Sequence, residues 1–288
     1  MLKNSELLLA ASVPLLWGFG FTFTKAGLNE FPPLFLMGLR FSLASLVLIW
    51  FVPIPRGQLK QIFWISFVGS TLRYGMTYTG LSMIDASLSI IIMQLGVPFS
   101  VLLAAILFKD KPGIQQILGM LISFAGIILI AGQPSLSGQL YAILLTAAGT
   151  MMWALGQVMV KRLENPPSGF ALIAWIGVFS GPQMILGSFI FEESQLESLA
   201  NASWIGWGVI LYLALIMTVL GYGIWYHVLS RNPVSKVMPV MLLLPVFTIA
   251  SSMLFLGEQP SLMIFIGAAV VIGGVSLIVL TKDSKLTS

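Results

Sequence analysis

The sequence predicts an all-α integral membrane protein with ten transmembrane helices in two inverted five-helix repeats. Three observations carry that expectation: an apolar composition, a succession of spans near twenty residues, and a phrase written twice. Of 288 residues, 58% are hydrophobic and only 8% are charged, with a mean hydropathy of +0.99, whereas soluble domains carry about a quarter charged residues. Apolar runs of about 18 or more residues recur along the chain, each long enough to cross a hydrocarbon core of roughly 30 Å at about 1.5 Å per residue. Lipid satisfies no backbone N–H or C=O group, which leaves helices or a closed barrel, and uninterrupted spans of this length exclude short alternating strands.

In chain order the first span, 7–24, follows MLKNSELLLA; no small-residue cleavage site closes it and another span follows, so a retained helix is expected rather than a leader. FPP (31–33) opens 34–52, and PIPRGQLK (53–60) separates that from 62–82. MIDA (83–86) must turn the chain within about four residues into 86–108, and KDKP (109–112) then leads into 113–131. GQPSLSGQ (132–139) precedes 139–160, and ENPPS (164–168) precedes 169–190. Spans 204–229 and 234–256 follow, and GEQPS (257–261) opens the last, 262–280.

Charge tests this count. With alternate loops on one side, that side holds Lys3, Arg56, Lys60, Lys109, Lys111, Lys161, Arg162, Arg231, Lys236, Lys282 and Lys285, while the other side holds Lys25 alone. Such asymmetry places both termini in the cytoplasm and favours an even number of crossings. Arg40 and Arg73 fall inside spans.

The formal charge of +4 and pI near 9.4 would suggest nucleic acid only as a soluble patch, and here the basic residues punctuate apolar segments. Cysteine is absent, which removes disulfides and thiolate metal sites. No His/Glu metal spacing, phosphate loop or nucleophile elbow is present. The expectation is therefore no enzyme, no cofactor and no nucleic acid, with membrane lipids and a small-molecule substrate as partners.

WGFGFTFTK (17–25) and WALGQVMVK (153–161) share a Trp-x-x-Gly-x4-Lys frame 136 positions apart. At an offset of 148, RYGMTYTGLS (73–82) meets GYGIWYHVLS (221–230), FKDKP (108–112) meets LGEQP (256–260), and Gly119 and Gly126 meet Gly267 and Gly274. The expected units are 1–131 and 137–282, with a short cytoplasmic tail at 283–288. Five spans per unit is an odd number, so the halves insert in opposite senses, and exchanging their conformations turns an inward-open cavity into an outward-open one. Transport of small amino-acid-like or zwitterionic metabolites by alternating access is the expected function. Export of amphipathic drugs or toxic compounds, among them larger apolar cations, is a second reading, although Arg73 would repel a cation, and a non-transporting membrane scaffold is a third.

Arg73, about eleven residues into its span, must face protein, water or a ligand anion, because burying an unpaired guanidinium is costly. Its planar fork suits a carboxylate or phosphate, although a structural network with carbonyls, tyrosines or Asp85 accounts for it too. Tyr74 adjoins it, and Tyr78 lies four residues beyond Tyr74 on one helix face. Gln94 offers both donor and acceptor atoms, for a substrate or for a neighbouring helix. Trp17, Trp153, Tyr222, Trp225 and Tyr226 supply aromatic surface, of which Tyr222 and Trp225 are the stronger substrate-binding candidates.

Pro98 and Pro245, inside spans, are expected to kink their helices and are the candidate gates. Arg40, six residues into its span, is expected to snorkel toward the outer interface. Lys25 and Lys161 lock helix ends or sit at cavity mouths. For proton coupling the candidates are His227, Asp85 and Glu258, since no carboxylate falls mid-span. Small residues at Gly119, Ser123, Gly126, Gly267 and Gly274 permit close helix approach.

WGFGFTFTKAGL (17–28), PPLFLMGLRF (32–41), LGYGIWYHVLSRNP (220–233), PVMLLLPVFTIASSMLFLGEQP (239–260) and GAAVVIGGVSLIV (267–279) together resemble the EamA family of the drug/metabolite transporter superfamily over essentially the whole chain. That resemblance implies a multi-pass carrier of the bacterial inner membrane, with ten helices in inverted halves. It also implies export of amino acids, related metabolites or small toxic compounds, and a structural role for the Arg40 of GLRF. Arg73 and Tyr74 follow no pattern carried over from the family, a departure that argues against a cysteine-type substrate.

Overall fold

Every regular element in the computed structural model is helical among the described residues, which are 4–109, 111–232 and 237–280. Lys3, Asp110, Lys236, Lys282, Lys285 and the expected tail at 283–288 lie outside them. Helix α1 spans Asn4–Gly27 and α2 spans Pro33–Leu48, which tightens into a 3₁₀ turn at Ile49–Phe51. Helix α3 (Leu59–Ser66) widens into a π-helical stretch, Phe67–Leu72, and narrows again into α4 (Arg73–Met83). Helices α5 (Ala86–Met93), α6 (Gly96–Phe108) and α7 (Ile114–Ala131) follow. Next come α8 (Leu140–Lys161), α9 (Gly169–Phe191) and the short α10 (Gln195–Asn201). Helix α11 (Trp204–Leu211) passes through a second π-helical stretch, Tyr212–Leu220, into α12 (Gly221–Arg231). A 3₁₀ turn at Met238–Leu242 opens α13 (Leu243–Phe255), and α14 spans Leu262–Val279.

Nine helices among the described residues are long and apolar enough to cross a membrane. Leu59–Met83 is not one of them, because α4 concentrates Arg73, Tyr74, Thr77, Tyr78 and Thr79. The outer surface is apolar: Trp50, Phe51, Phe191, Trp204 and Leu254 are among its most exposed side chains. Lipid, not water, is the solvent such a surface matches.

Packing follows from the small residues. Helix α7 lies along α14, α2 along α9, α4 along α8, and α1 along α13. A Cβ on Gly119 would stand 2.5 Å from the Gly274 carbonyl oxygen, so α7 and α14 approach at backbone contact. Their limits are related by the same 148-residue offset read from the sequence. So are Arg73 and Gly221, the first residues of α4 and α12, each immediately after a π-helical stretch.

The two prolines sit at breaks. Pro98 is the third residue of α6, one turn after α5 ends at Gln94 and Leu95, and the Gln94 carbonyl accepts from the Val97 N–H at 3.3 Å. Pro245 is likewise the third residue of α13, after the 3₁₀ turn. Proline's missing N–H and its ring clash with the carbonyl four residues earlier explain why each interruption lies a turn before the proline rather than at it.

Carboxylates tie loops to helix N-termini, where free N–H groups carry partial positive charge. Glu258 accepts from the N–H groups of Ala86 at 2.6 Å and Ser87 at 3.0 Å. Glu192 accepts from Leu34 at 2.8 Å and Phe35 at 3.2 Å. Glu30 accepts from the Ser203 N–H at 2.8 Å and from its hydroxyl at 2.7 Å. At the opposite pole, Lys25 Nζ donates to the last carbonyls of α4, Leu81 at 2.8 Å and Ser82 at 3.1 Å. Of its two sequence readings, Lys25 takes the helix-end lock.

Candidate functional site

Helices α1, α2, α4, α5, α6, α8, α12, α13 and α14, with the second π-helical stretch and the 3₁₀ turn before α13, line a cavity of about 510 Å³. Its cationic wall grows out of the first π-helical stretch, which ends at Arg73. The Arg73 guanidinium lies 4.5 Å from the Tyr74 ring centroid and 5.7 Å from that of Trp153. Tyr74 stacks on Tyr78 with centroids 5.2 Å apart and rings 18° from parallel. Their i, i+4 spacing puts the two rings on one face of α4, where they meet.

Arg40 completes that wall. It is 1% exposed, and its Nε donates to Thr218 Oγ1 at 3.0 Å. Its guanidinium lies 5.0 Å from the Phe41 ring centroid and 5.6 Å from that of Tyr74, so Arg40 and Arg73 both address Tyr74. The expected snorkelling is overturned: the side chain points into the bundle and lines the cavity. Thr218 lies in the second π-helical stretch, where its hydroxyl donates to the Leu213 carbonyl at 2.8 Å. That frees an oxygen lone pair for Arg40, which a hydroxyl has to spare.

The facing wall is aromatic. The Trp17 ring is 4.8 Å from Tyr222 and 6.1 Å from Trp225, and Tyr222 stacks on Tyr226 at 6.2 Å. Trp17 is held by its Nε1, which donates to the Met217 carbonyl at 3.0 Å. Gln94 lines the cavity where α5 breaks from α6, and Gln157 lines it from α8. Among the described residues no Asp or Glu belongs to this lining. A smaller pocket of about 100 Å³ shares Arg73, Tyr74, Trp153, Gln157, Tyr222 and Tyr226 with it and continues past Gly69, Val160 and Ile173.

The repeated phrase explains part of this geometry. Trp17 and Trp153 both line the cavity, and the glycines three residues later, Gly20 and Gly156, let neighbouring helices close on it. A Cβ on Gly156 would stand 2.6 Å from the Gly69 Cα, and one on Gly20 would meet the Met217 sulfur at 2.5 Å.

Arg73, Tyr74, Tyr78, Gln94, Tyr222 and Trp225 all line the one cavity. Pro98 and Pro245 do not, but Gly96 and Val97 before the first, and Leu242 and Leu244 around the second, do. The titratable candidates stand apart: His227 is exposed outside the lining, Asp85 occupies the turn before α5, and Glu258 caps α5. The Asp85 carboxyl is raised above its ordinary range by partial desolvation first and by Glu258 second, with Lys25 opposing. Sequence reasoning missed Arg40 and Gln157 as lining residues. Gln157 had a signal, since it lies four residues after Trp153 and shares its helix face.

Comparison with known proteins agrees with this architecture. The model of the EamA-like transporter family matches residues 4–132 and, a second time, residues 140–280. A probable amino-acid metabolite efflux pump of Escherichia coli is 29% identical over 282 residues, which cover 95% of this chain and 94% of that protein. A protein of the same description from Salmonella typhimurium is 30% identical with the same coverage. An uncharacterized transporter of Archaeoglobus fulgidus is 27% identical over 96% of this chain and 98% of its own. One solved crystal structure superimposes with a TM-score of 0.64 at 18% identity, covering 100% of this chain and 99% of its own, a likeness of fold.

Proposed function

The chain belongs to the EamA-like transporter family, a family of transporters and not of enzymes, and on that premise we propose that it exports small amino-acid-like metabolites by alternating access. The observation that carries this reading is the central cavity, where Arg73, Gln94 and Tyr222 converge with aromatic groups from both halves of the chain. Its volume suits a metabolite of a dozen or so heavy atoms, within the roughly 300–1,000 Å³ range of small-molecule sites. Export of amino-acid metabolites is what the Escherichia coli and Salmonella typhimurium relatives are described as performing.

The reading takes Leu59–Met83 as the tenth crossing and the units 1–131 and 137–282 as inverted five-helix repeats. Two features support it: the family model matches once in each half, and each half carries a π-helical stretch ahead of its cavity-lining tyrosines. It places the protein in the bacterial inner membrane with both termini cytoplasmic, because Arg56, Lys60, Lys161, Arg162 and Arg231 then share the positive side.

In that orientation the smaller pocket leads from the cavity toward the cytoplasmic ends of α3 and α8, while Phe21, Tyr78 and Ile90 floor the outer end. A carboxylate entering from the cytoplasm meets the fork of Arg73, its amide or hydroxyl groups meet Gln94, and its body packs on Trp17 and Trp225. Rearrangement of the halves then closes the inner path and opens the outer one. Asp85 and Glu258 belong to the outer closure in this reading, and no proton path through the cavity is assigned to them or to His227.

The test is transport of a radiolabelled panel in proteoliposomes, with Arg73→Ala alongside. Loss of carboxylate-bearing substrates in the variant supports the site. Unchanged kinetics across the panel removes it.

A further inference from the structure

The charges of the cavity are one-sided. Arg40 comes from α2 and Arg73 from α4, both in the first half; Gly221 is matched to Arg73 by the 148-residue offset, and neither Ile176 nor Ser188, the positions that the two offsets place opposite Arg40, is charged. Among the described residues the lining contains no carboxylate to answer either guanidinium. Arg40 has only uncharged partners: its Nε donates to Thr218 Oγ1 at 3.0 Å, Tyr78 offers it a hydroxyl, a terminal nitrogen meets Met37 Sδ at 3.8 Å, and its guanidinium lies against the Phe41 and Tyr74 rings. A fully buried cation whose partners are all neutral keeps part of its desolvation cost, which an incoming anion would relieve. The opposite wall of Trp17, Tyr222 and Trp225 offers apolar faces and no acidic group.

We infer that the substrate is net-anionic: a carboxylate with an apolar body whose amino group is absent or acylated, held between Arg40 and Arg73, with Arg40 setting the charge preference. This rests on the carboxylate-binding reading of the same cavity. A free zwitterion would bring a second charge, its ammonium, into a low-dielectric space that already holds two fixed cations and no carboxylate. Aromatic faces attract an ammonium, but the repulsion from two guanidiniums acts over the same few ångströms at the same low dielectric. An acylated nitrogen removes the charge and leaves an amide that Gln94 and Gln157 pair with through ordinary hydrogen bonds.

A charge series on one skeleton tests this. N-acetyl-L-leucine, L-leucine and L-leucinamide carry formal charges of −1, 0 and +1 with the same side chain. Half-saturation concentrations for each are measured with the full-length protein in proteoliposomes, for the native chain and for Arg40→Gln, Arg40→Lys and Arg73→Gln. The expected order is N-acetyl-L-leucine first by tenfold or more, L-leucine second, and L-leucinamide neither carried nor competing. In Arg40→Gln the preference for the acetylated form shrinks toward parity, and Arg40→Lys recovers part of it because charge returns without the fork.

If L-leucine is carried as well as or better than N-acetyl-L-leucine while L-leucinamide is refused, the net-anion inference falls and the carboxylate reading stands. If L-leucinamide is carried as well as the two acids, the carboxylate reading itself falls. The native protein alone decides both, so an Arg40→Gln chain that fails to fold leaves the inference open to refutation. Arg73→Gln, at a half-buried position, supplies the second variant.

Discussion

Arg40 Nε donates to Thr218 Oγ1 at 3.0 Å, a bond that joins α2 to the π-helical stretch ahead of α12 and fixes a guanidinium at the wall of the cavity. Because the bond spans the two halves of the chain, it bears on stability and on movement alike. Thr218→Val keeps the shape and removes the acceptor. A buried donor left unsatisfied costs about 1–3 kcal/mol. Thermal unfolding in detergent is expected to show a lowered Tm, and Thr218→Ser, which restores the acceptor, to recover most of it.

Glu258 holds the N-terminus of α5 through two N–H groups. Glu258→Gln weakens a charge-assisted cap worth about 1 kcal/mol, enough to move a two-state equilibrium roughly fivefold. Since the native chain has no cysteine, a single Ile90→Cys reporter on the cavity floor reads that shift directly. Labelling by an impermeant thiol reagent from the outer side is expected to quicken in the Glu258→Gln background, and an unchanged rate would remove Glu258 from the outer closure.

The two glycines of the repeated phrase separate a rigid contact from a yielding one. At Gly156 a methyl group meets the Gly69 backbone, which cannot move aside, whereas at Gly20 it meets the flexible end of Met217. Gly156→Ala is expected to destabilise by about 1–3 kcal/mol and to depress transport. Gly20→Ala is expected to cost less than half as much. Equal losses in paired unfolding curves would contradict this account of the helix contacts.

Export of a net anion moves charge across the membrane, and one elementary charge is worth about 2.3 kcal/mol per 100 mV. An imposed inside-negative potential is therefore expected to accelerate N-acetyl-L-leucine efflux from proteoliposomes, with the imposed pH gradient making no difference. His227→Ala is expected to leave this behaviour intact, because His227 lies outside the cavity lining. Efflux indifferent to potential would count against a charged cargo.

What the sequence determined by itself was the solvent and the all-helical, multi-pass plan. Backbone groups must be satisfied within lipid whatever the neighbours are, so apolar runs of span length dictate helices locally. Arg73, Tyr74, Tyr78, Gln94, Tyr222 and Trp225 were legible as cavity residues because polar and aromatic groups at those depths must face something other than lipid. Tertiary structure alone decided the rest. Arg40 read as a snorkelling side chain because its distance from a helix end is a local quantity, while its burial depends on α2 facing the second half at Thr218. Glu258 stood among the proton-coupling candidates, and its capping contact was not legible because its partner, the start of α5, is 171 residues or more away in the chain. Which face of one helix meets which end of another is a non-local choice, made by close packing across the bundle rather than by any stretch of residues read alone.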